Sequence, residues 1–261
     1  MADGRINLEN CRILLSNDDG IGAPGLAVLE RIARQLSDDV WVVAPEQEQS
    51  GASHSLTTRR PLRLREVAPR RFWVDGTPTD CVVVALKRVL RDHPPDLVLS
   101  GINAGSNIGE DLTYSGTVAA AMEATLLGVP AIALSQAYVD GQEIPWGVGE
   151  RAAAAMIRRL LRLPWPASTL FNINFPAVSP DATPEIAVTS QGRREIADNL
   201  TDGLDPRGRP YYWIGPSPDI GHSEPGTDVA AIADDKVSIT PINLNLTNVS
   251  VLASLKQIFE V

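Results

Sequence analysis

Two neighbouring acids, Asp18 and Asp19, stand just beyond the apolar run Ile13-Leu14-Leu15, after Ser16 and Asn17, and precede Gly20. A strand ending there holds both carboxylates at one edge of a sheet. Carboxylates about 4 Å apart near a protein surface repel by about 4 kcal/mol. A fold that keeps them together needs a compensating partner, and a divalent cation among hard oxygen ligands is the usual one. Asp-Asp-Gly is also ordinary turn chemistry, so the pair alone leaves both readings open.

Three further segments carry groups able to act with the acids. Residues 49–57 place Ser50 and His54 among small polar residues. Residues 100–109 are glycine-rich and bring Asn103 and Asn107. Tyr114-Ser115-Gly116-Thr117 opens a helical pattern, where an N-cap is expected and free N–H groups attract phosphate. Taken singly, the first reads as a surface turn and the last as a simple cap.

The surrounding pattern decides whether these groups can meet. Strand signals at 11–16, 40–44, 96–100 and 131–135 alternate with helical periodicity at 24–36, 79–90 and 118–127. Short buried strands alternating with helices predict a Rossmann-like three-layer α/β/α body around a mostly parallel sheet. In such sheets ligands bind beyond the carboxyl ends of the strands. The Asp18-Asp19 turn, the Ser50 loop and the Asn103 loop each follow such an end, so they can share one crevice. Carboxylate, hydroxyl and amide oxygens suit Mg²⁺, Mn²⁺ or Ca²⁺ rather than copper or thiolate zinc.

The remainder reads as a helix at 151–163, strands at 169–174 and 237–239, and a terminal helix at 249–259. Between them, about 176–228 is rich in Pro, Gly and Asp, with a strand candidate at Tyr211-Tyr212-Trp213-Ile214. We expect one domain over 1–261 with this stretch as an excursion, a lid, oligomer arm or disordered loop.

Composition sets bounds. The 261 residues are 44% hydrophobic, enough for a sizeable core. The net charge of −9 argues against nucleic-acid polymers and membrane surfaces. No apolar run approaches the ~20 residues of a membrane span, and residues 1–5 lack a secretory pattern. Cys11 and Cys81 read as reduced core residues, and a cytoplasmic location is expected. Arg63, Arg65, Arg70 and Arg71 read as a solvated face.

A rival reading comes from Gly20-Ile21-Gly22-Ala23-Pro24-Gly25, with Glu46 at the end of the second strand. That is a dinucleotide-binding fingerprint, and implies an NAD-type oxidoreductase. Asp18 and Asp19 oppose it, because they would face a pyrophosphate with negative charge.

Several stretches together resemble the SurE family of survival-protein nucleotidases. They are Ser16-Asn17-Asp18-Asp19-Gly20 with Ala23-Pro24-Gly25; Ser50-Gly51-Ala52-Ser53; Gly76-Thr77-Pro78-Thr79-Asp80-Cys81; Ser100-Gly101-Ile102-Asn103 with Gly105 and Asn107; Tyr114 to Ala121; and Val237-Ser238-Ile239-Thr240-Pro241. The resemblance implies hydrolysis of nucleoside 5′- and 3′-monophosphates, and of short polyphosphate. It implies one divalent ion per subunit, Mg²⁺ or Mn²⁺, on Asp18, Asp19, Ser50 and Asn103, and a homodimer or homotetramer built partly by the excursion. Asn107, Ser115, Gly116 and Thr117 are then candidates to hold phosphate oxygens. Asp18 and Asp19 are the expected catalytic acids, orienting or deprotonating a water, with a covalent aspartyl-phosphate as the rival route. A non-catalytic nucleotide sensor would use the same crevice. The roles of His54 and His222 stay open.

Overall fold

The computed structural model describes residues 6, 8–194, 200–215 and 224–259. Its centre is a nine-stranded sheet. In chain order the strands are β1 (Arg12–Ser16), β2 (Asp39–Pro45), β3 (Leu64–Ala68), β4 (Arg71–Val74), β5 (Leu97–Ala104), β6 (Ala131–Gln136), β7 (Thr169–Phe175) and β8 (Ile186–Val188). A hairpin of β9 (Leu200–Leu204) and β10 (Pro210–Ile214) stands outside the sheet, and β11 (Val237–Asn243) returns to it. The spatial order is β3-β4-β2-β1-β5-β6-β7-β11-β8. Six of the eight pairings are parallel, and β3/β4 and β7/β11 are antiparallel.

Helices cover both faces. Helices α1 (Pro24–Arg34) and α5 (Gly147–Leu160) pack one face through Leu26, Leu29, Ile32 and Ile157. On the other face, α2 (Pro78–Val84), its π-helical continuation Ala85–Val89 and α4 (Gly116–Leu126) bury Cys81, Val82, Val118 and Ala120. Both faces of the inner strands are therefore dry, which is why β6 and β7 are buried at every position. The three-layer, mostly parallel body agrees with the expectation. Both cysteines are buried and free, and burial pushes the Cys11 thiol up to about 12. No described helix is long and apolar enough to cross a membrane.

Local chemistry explains several boundaries. Pro24 occupies the first turn of α1, where a missing N–H costs nothing. Thr77 caps α2, in a reciprocal box with Asp80. The glycine-rich stretch after β5 contains a short helix, α3 (Asp111–Tyr114), that periodicity did not signal. The excursion also differs from a plain arm. It contributes β8 to the sheet and ends in α6 (Asp228–Ala233), both too short to show a period. The buried Asp228 carboxylate accepts N–H bonds from Gly109 and Gly192 at 3.1 and 2.7 Å, bolting the base of the excursion to the loop after β5. The C-terminal helix α7 (Val249–Ile258) buries none of its residues.

From β1 the chain crosses to β2 on one side, then returns through α2 to β5 on the other. That reversal opens a crevice at the carboxyl ends of β1 and β5. Gly25 sets how closely α1 lies on β5, because a Cβ there would fall 1.9 Å from the Ile102 carbonyl oxygen. Gly25→Ala is expected to lower stability by about 1–3 kcal/mol in urea denaturation. An unchanged midpoint would mean that α1 can lift from β5 freely.

Candidate active site

Asp18 and Asp19 stand at the reversal, one buried and one facing a cleft. Asn17 shapes the turn, donating from Nδ2 to the Gly20 carbonyl at 2.9 Å. Gly20 takes φ +97°, a conformation open to glycine, and abuts the backbone of Gln47. Asp18 is 4% exposed. Its Oδ1 accepts the Thr117 hydroxyl, and the N–H groups of Gly116 and Thr117 at the start of α4 stabilise its charge. This approach requires glycine at 116, since a Cβ there would sit 2.7 Å from the Asp18 Cβ. Burial nevertheless dominates and raises the Asp18 pKa.

Asp19 is partly exposed, and its Oδ2 accepts the Ala104 N–H at 3.2 Å. Burial first, then the charge of Asp18, push its pKa up to about 6. Among the described residues no Lys or Arg forms an ion pair with either acid. A register shift in β5 between Ser100 and Asn103 re-aims the strand end beside them. Asn103 therefore belongs to the end of β5 rather than to a loop. Its Nδ2 donates to the Gly105 carbonyl at 2.9 Å, and among the described residues nothing donates to its Oδ1.

Ser50 is exposed at the tip of its loop and donates to Glu48 at 2.8 Å. The loop is pinned on both sides. Gln49 N–H donates to the Asp18 carbonyl at 2.8 Å, and Thr57 N–H to Asp80 Oδ1 at 2.9 Å. Asp19, Ser50 and Glu48 border a cleft of about 700 Å³ whose far wall is Tyr138, Ile144 and Trp146. Sequence reading missed that wall. Its segment has no periodicity, and only its two aromatics signal it.

The four residues expected near phosphate divide. Ser115 caps α4, accepting the Val118 N–H at 3.1 Å, and its own proton has no acceptor among the described residues. Gly116 and Thr117 face Asp18. Asn107 is buried, its Nδ2 donating to Ser135 Oγ at 2.8 Å while its carbonyl accepts from Asn172 and Asn174. His54 pairs with Glu123 of α4 at 2.9 Å. His222 lies outside the described residues. The fingerprint Gly20–Gly25 opens onto the same cleft, where Asp19 and Glu48 would oppose a pyrophosphate. The oxidoreductase reading is not favoured.

The raised Asp19 pKa has a sign that can be checked. The folded state holds the proton more tightly than the unfolded chain, so ionisation of Asp19 destabilises the fold as pH rises from 3.8 to about 6. In buffer containing a chelator, Asp19→Asn is expected to be more stable than the parent at pH 7 and equal to it near pH 4. Urea denaturation at both pH values reads this directly, and equal stability at pH 7 would contradict it.

Residues 13–198 match the family model for survival protein SurE. The chain is 54% identical over 251 residues to the 5′-nucleotidase SurE of Paramagnetospirillum magneticum, covering 96% of each chain. It is 54% identical to that of Rhizobium meliloti over 239 residues, covering 91% of this chain and 93% of that one. The crystal structure of the SurE protein from Aquifex aeolicus superposes with a TM-score of 0.82 at 40% identity, over 95% of this chain and 99% of that one. With fold, motif order and relatives in agreement along nearly its whole length, the chain belongs to the SurE family.

Proposed function

We propose that the protein is a metal-dependent nucleotidase that hydrolyses nucleoside monophosphates to nucleoside and inorganic phosphate. The observation that carries this reading is the acid pair, without a counter-charge among the described residues, at the mouth of a cleft large enough for a nucleotide. The relatives' common activity supports it. The proposed substrates include 3′- as well as 5′-monophosphates and short polyphosphate, because the held group is the phosphoryl end that all share.

The donor set fits a hard divalent ion. Asp18 and Asp19 supply carboxylate oxygens, Asn103 an amide oxygen that accepts no bond among the described residues, and Ser50 a hydroxyl. No group of three or more His, Cys, Asp or Glu forms a metal site among the described residues, so a mixed oxygen set with water and phosphate is the one proposed. Mg²⁺ or Mn²⁺ bound there supplies Lewis-acid neutralisation of the phosphoryl charge.

The chain's own residues do the rest. Asp18 is fixed against α4 and buried, which makes it an anchor. Among the described residues nothing donates to Asp19 Oδ1, while Ala104 holds Oδ2. Asp19 orients a water and takes its proton. The water oxygen bonds to phosphorus as the ester P–O bond breaks, and the proton that Asp19 took passes to the departing nucleoside oxygen. Ser115 donates to a phosphate oxygen beside the first N–H groups of α4. Gly116 and Thr117 contribute through Asp18, and Asn107 by bracing the loop. Tyr138, Ile144 and Trp146 take the nucleoside.

We assign the chain to one domain whose excursion serves as an oligomer arm. The β9–β10 hairpin exposes Tyr212, Trp213 and Ile214 by about 70% each, an apolar surface of the kind that marks interfaces. A homodimer or homotetramer is the expected state, and a cytoplasmic location agrees with the substrate.

Phosphate release from AMP should stop with a chelator and return with Mg²⁺ or Mn²⁺. Asp18→Asn and Asp19→Asn should each lose at least about 10³-fold in kcat with unchanged circular dichroism. Release indifferent to chelation would end the metal scheme, and nucleotide binding without release would leave a sensor. A trapped phosphorylated Asp19 would replace direct attack by water. Trp213→Asp should lower the molar mass measured by light scattering after size exclusion, and an unchanged mass would remove the hairpin from the interface.

A further inference from the structure

We propose that His54 and Glu123 are positioning residues, which hold the Ser50 loop in register with the acid pair through helix α4. The inference rests on the reading that Ser50 helps to hold the metal. Glu123 is the one charged residue of α4, whose sequence is GTVAAAMEATL, and it is 8% exposed. A buried carboxylate without a partner is costly, and the core around it is apolar, so packing does not call for an acid there. Among the described residues its side-chain partner is His54 Nε2 at 2.9 Å. A carboxylate accepts only, so Nε2 carries the proton and donates it.

The geometry makes α4 a common ruler. Glu123 lies two helical turns beyond Gly116, on the same side of the helix. The first turn fastens Asp18 through Thr117 and the N–H groups of Gly116 and Thr117. Two turns later the same rigid element fastens the loop that carries Ser50. Ser53 adds a further tie on the same side of the loop, to α3 just before α4 begins. It takes φ +54°, donates its N–H to the Tyr114 carbonyl at 3.0 Å and its hydroxyl to the Thr113 carbonyl at 2.7 Å. On the near side, Gln49 N–H is tied to the Asp18 carbonyl. Residues 50–52 thus project between two anchors that both refer back to Asp18, and Ser50 cannot drift without breaking one of them.

The chain is 69 residues long between His54 and Glu123, so the pair fixes a separation that neither segment sets alone. Partners that orient ligands typically change metal affinity 10–100-fold when lost. In Mn²⁺ titrations of the full chain without nucleotide, followed by electron paramagnetic resonance, His54→Ala and Glu123→Ala are each expected to weaken binding 10–100-fold. The double variant should be no weaker than either, because both remove one contact. His54→Gln, which keeps a side-chain N–H donor, should recover most of the affinity. Saturating Mn²⁺ should restore kcat on AMP in His54→Ala.

Unchanged Mn²⁺ affinity in His54→Ala overturns the inference, whatever its melting temperature. So does equal weakening by His54→Gln and His54→Ala, or a double variant showing the product of the two losses. Ser50→Ala separates the two readings. If it weakens Mn²⁺ binding while His54→Ala does not, the metal reading stands and the positioning role falls. If it leaves binding unchanged, the assignment of Ser50 itself is wrong.

Discussion

The site depends on burying one carboxylate at the N-terminus of a helix. Asp18 sits under the first turn of α4, where N–H dipoles and the Thr117 hydroxyl meet its charge. Desolvation still exceeds them and raises its pKa. That imbalance leaves the neighbourhood short of positive charge. Asp19 adds to the deficit, since its pKa rises in part because Asp18 is there. The dry face of the sheet supplies the low dielectric, and the strand reversal supplies the opening. An ion or a proton must complete the balance, and the oxygen-rich surroundings favour a hard cation over a soft one.

The same helix explains the rigidity of the surroundings. α4 is packed into the core by Val118, Ala120, Ala121 and Ala124, so its first turn cannot retreat from Asp18. Glycine at 116 allows the contact, and serine at 115 caps the turn. The loop after β5 is braced from the opposite side. Asn107 is locked to Ser135, Asn172 and Asn174, and Asp228 ties Gly109 to the base of the excursion. The cleft is thus assembled from four separate stretches of chain, each fixed by its own hydrogen bonds before any ligand arrives.

Away from the cleft the surface changes character. Strands β9 and β10 expose most of their large apolar side chains, and α7 buries none of its residues. Isolated two-stranded hairpins are marginal in water, so a partner surface would stabilise this one. The base of the excursion is wired through Asp228 to the loop that contains Asn107, which connects the periphery mechanically to the site.

Much was legible without coordinates because it follows from local rules. Short continuous apolar runs bounded by turns placed β1, β2, β5, β6 and β7, and strand–helix alternation implied the parallel sheet and its crevice. Asp18 and Asp19 stand out because adjacent acids after a strand are electrostatically costly. Elements too short for a period, α3, α6 and β8, left no such trace, and neither did β9, whose Leu-Thr-Asp-Gly-Leu lacks an apolar run. Nor did the long-range pairings. Nothing in residues 114–117 says that Thr117 turns to Asp18, or that Asn107 is spent on β6 and β7. Glu123 did leave a signal, a lone acid in an alanine-rich helix, but its partner lies 69 residues away. The main strands and helices, their layering and the chemistry at the strand ends follow from residue order alone, since these depend on neighbours along the chain. Which donors remain free for a ligand is settled in three dimensions, because hydrogen-bond partners and burial are set by contacts between segments that the chain order does not specify.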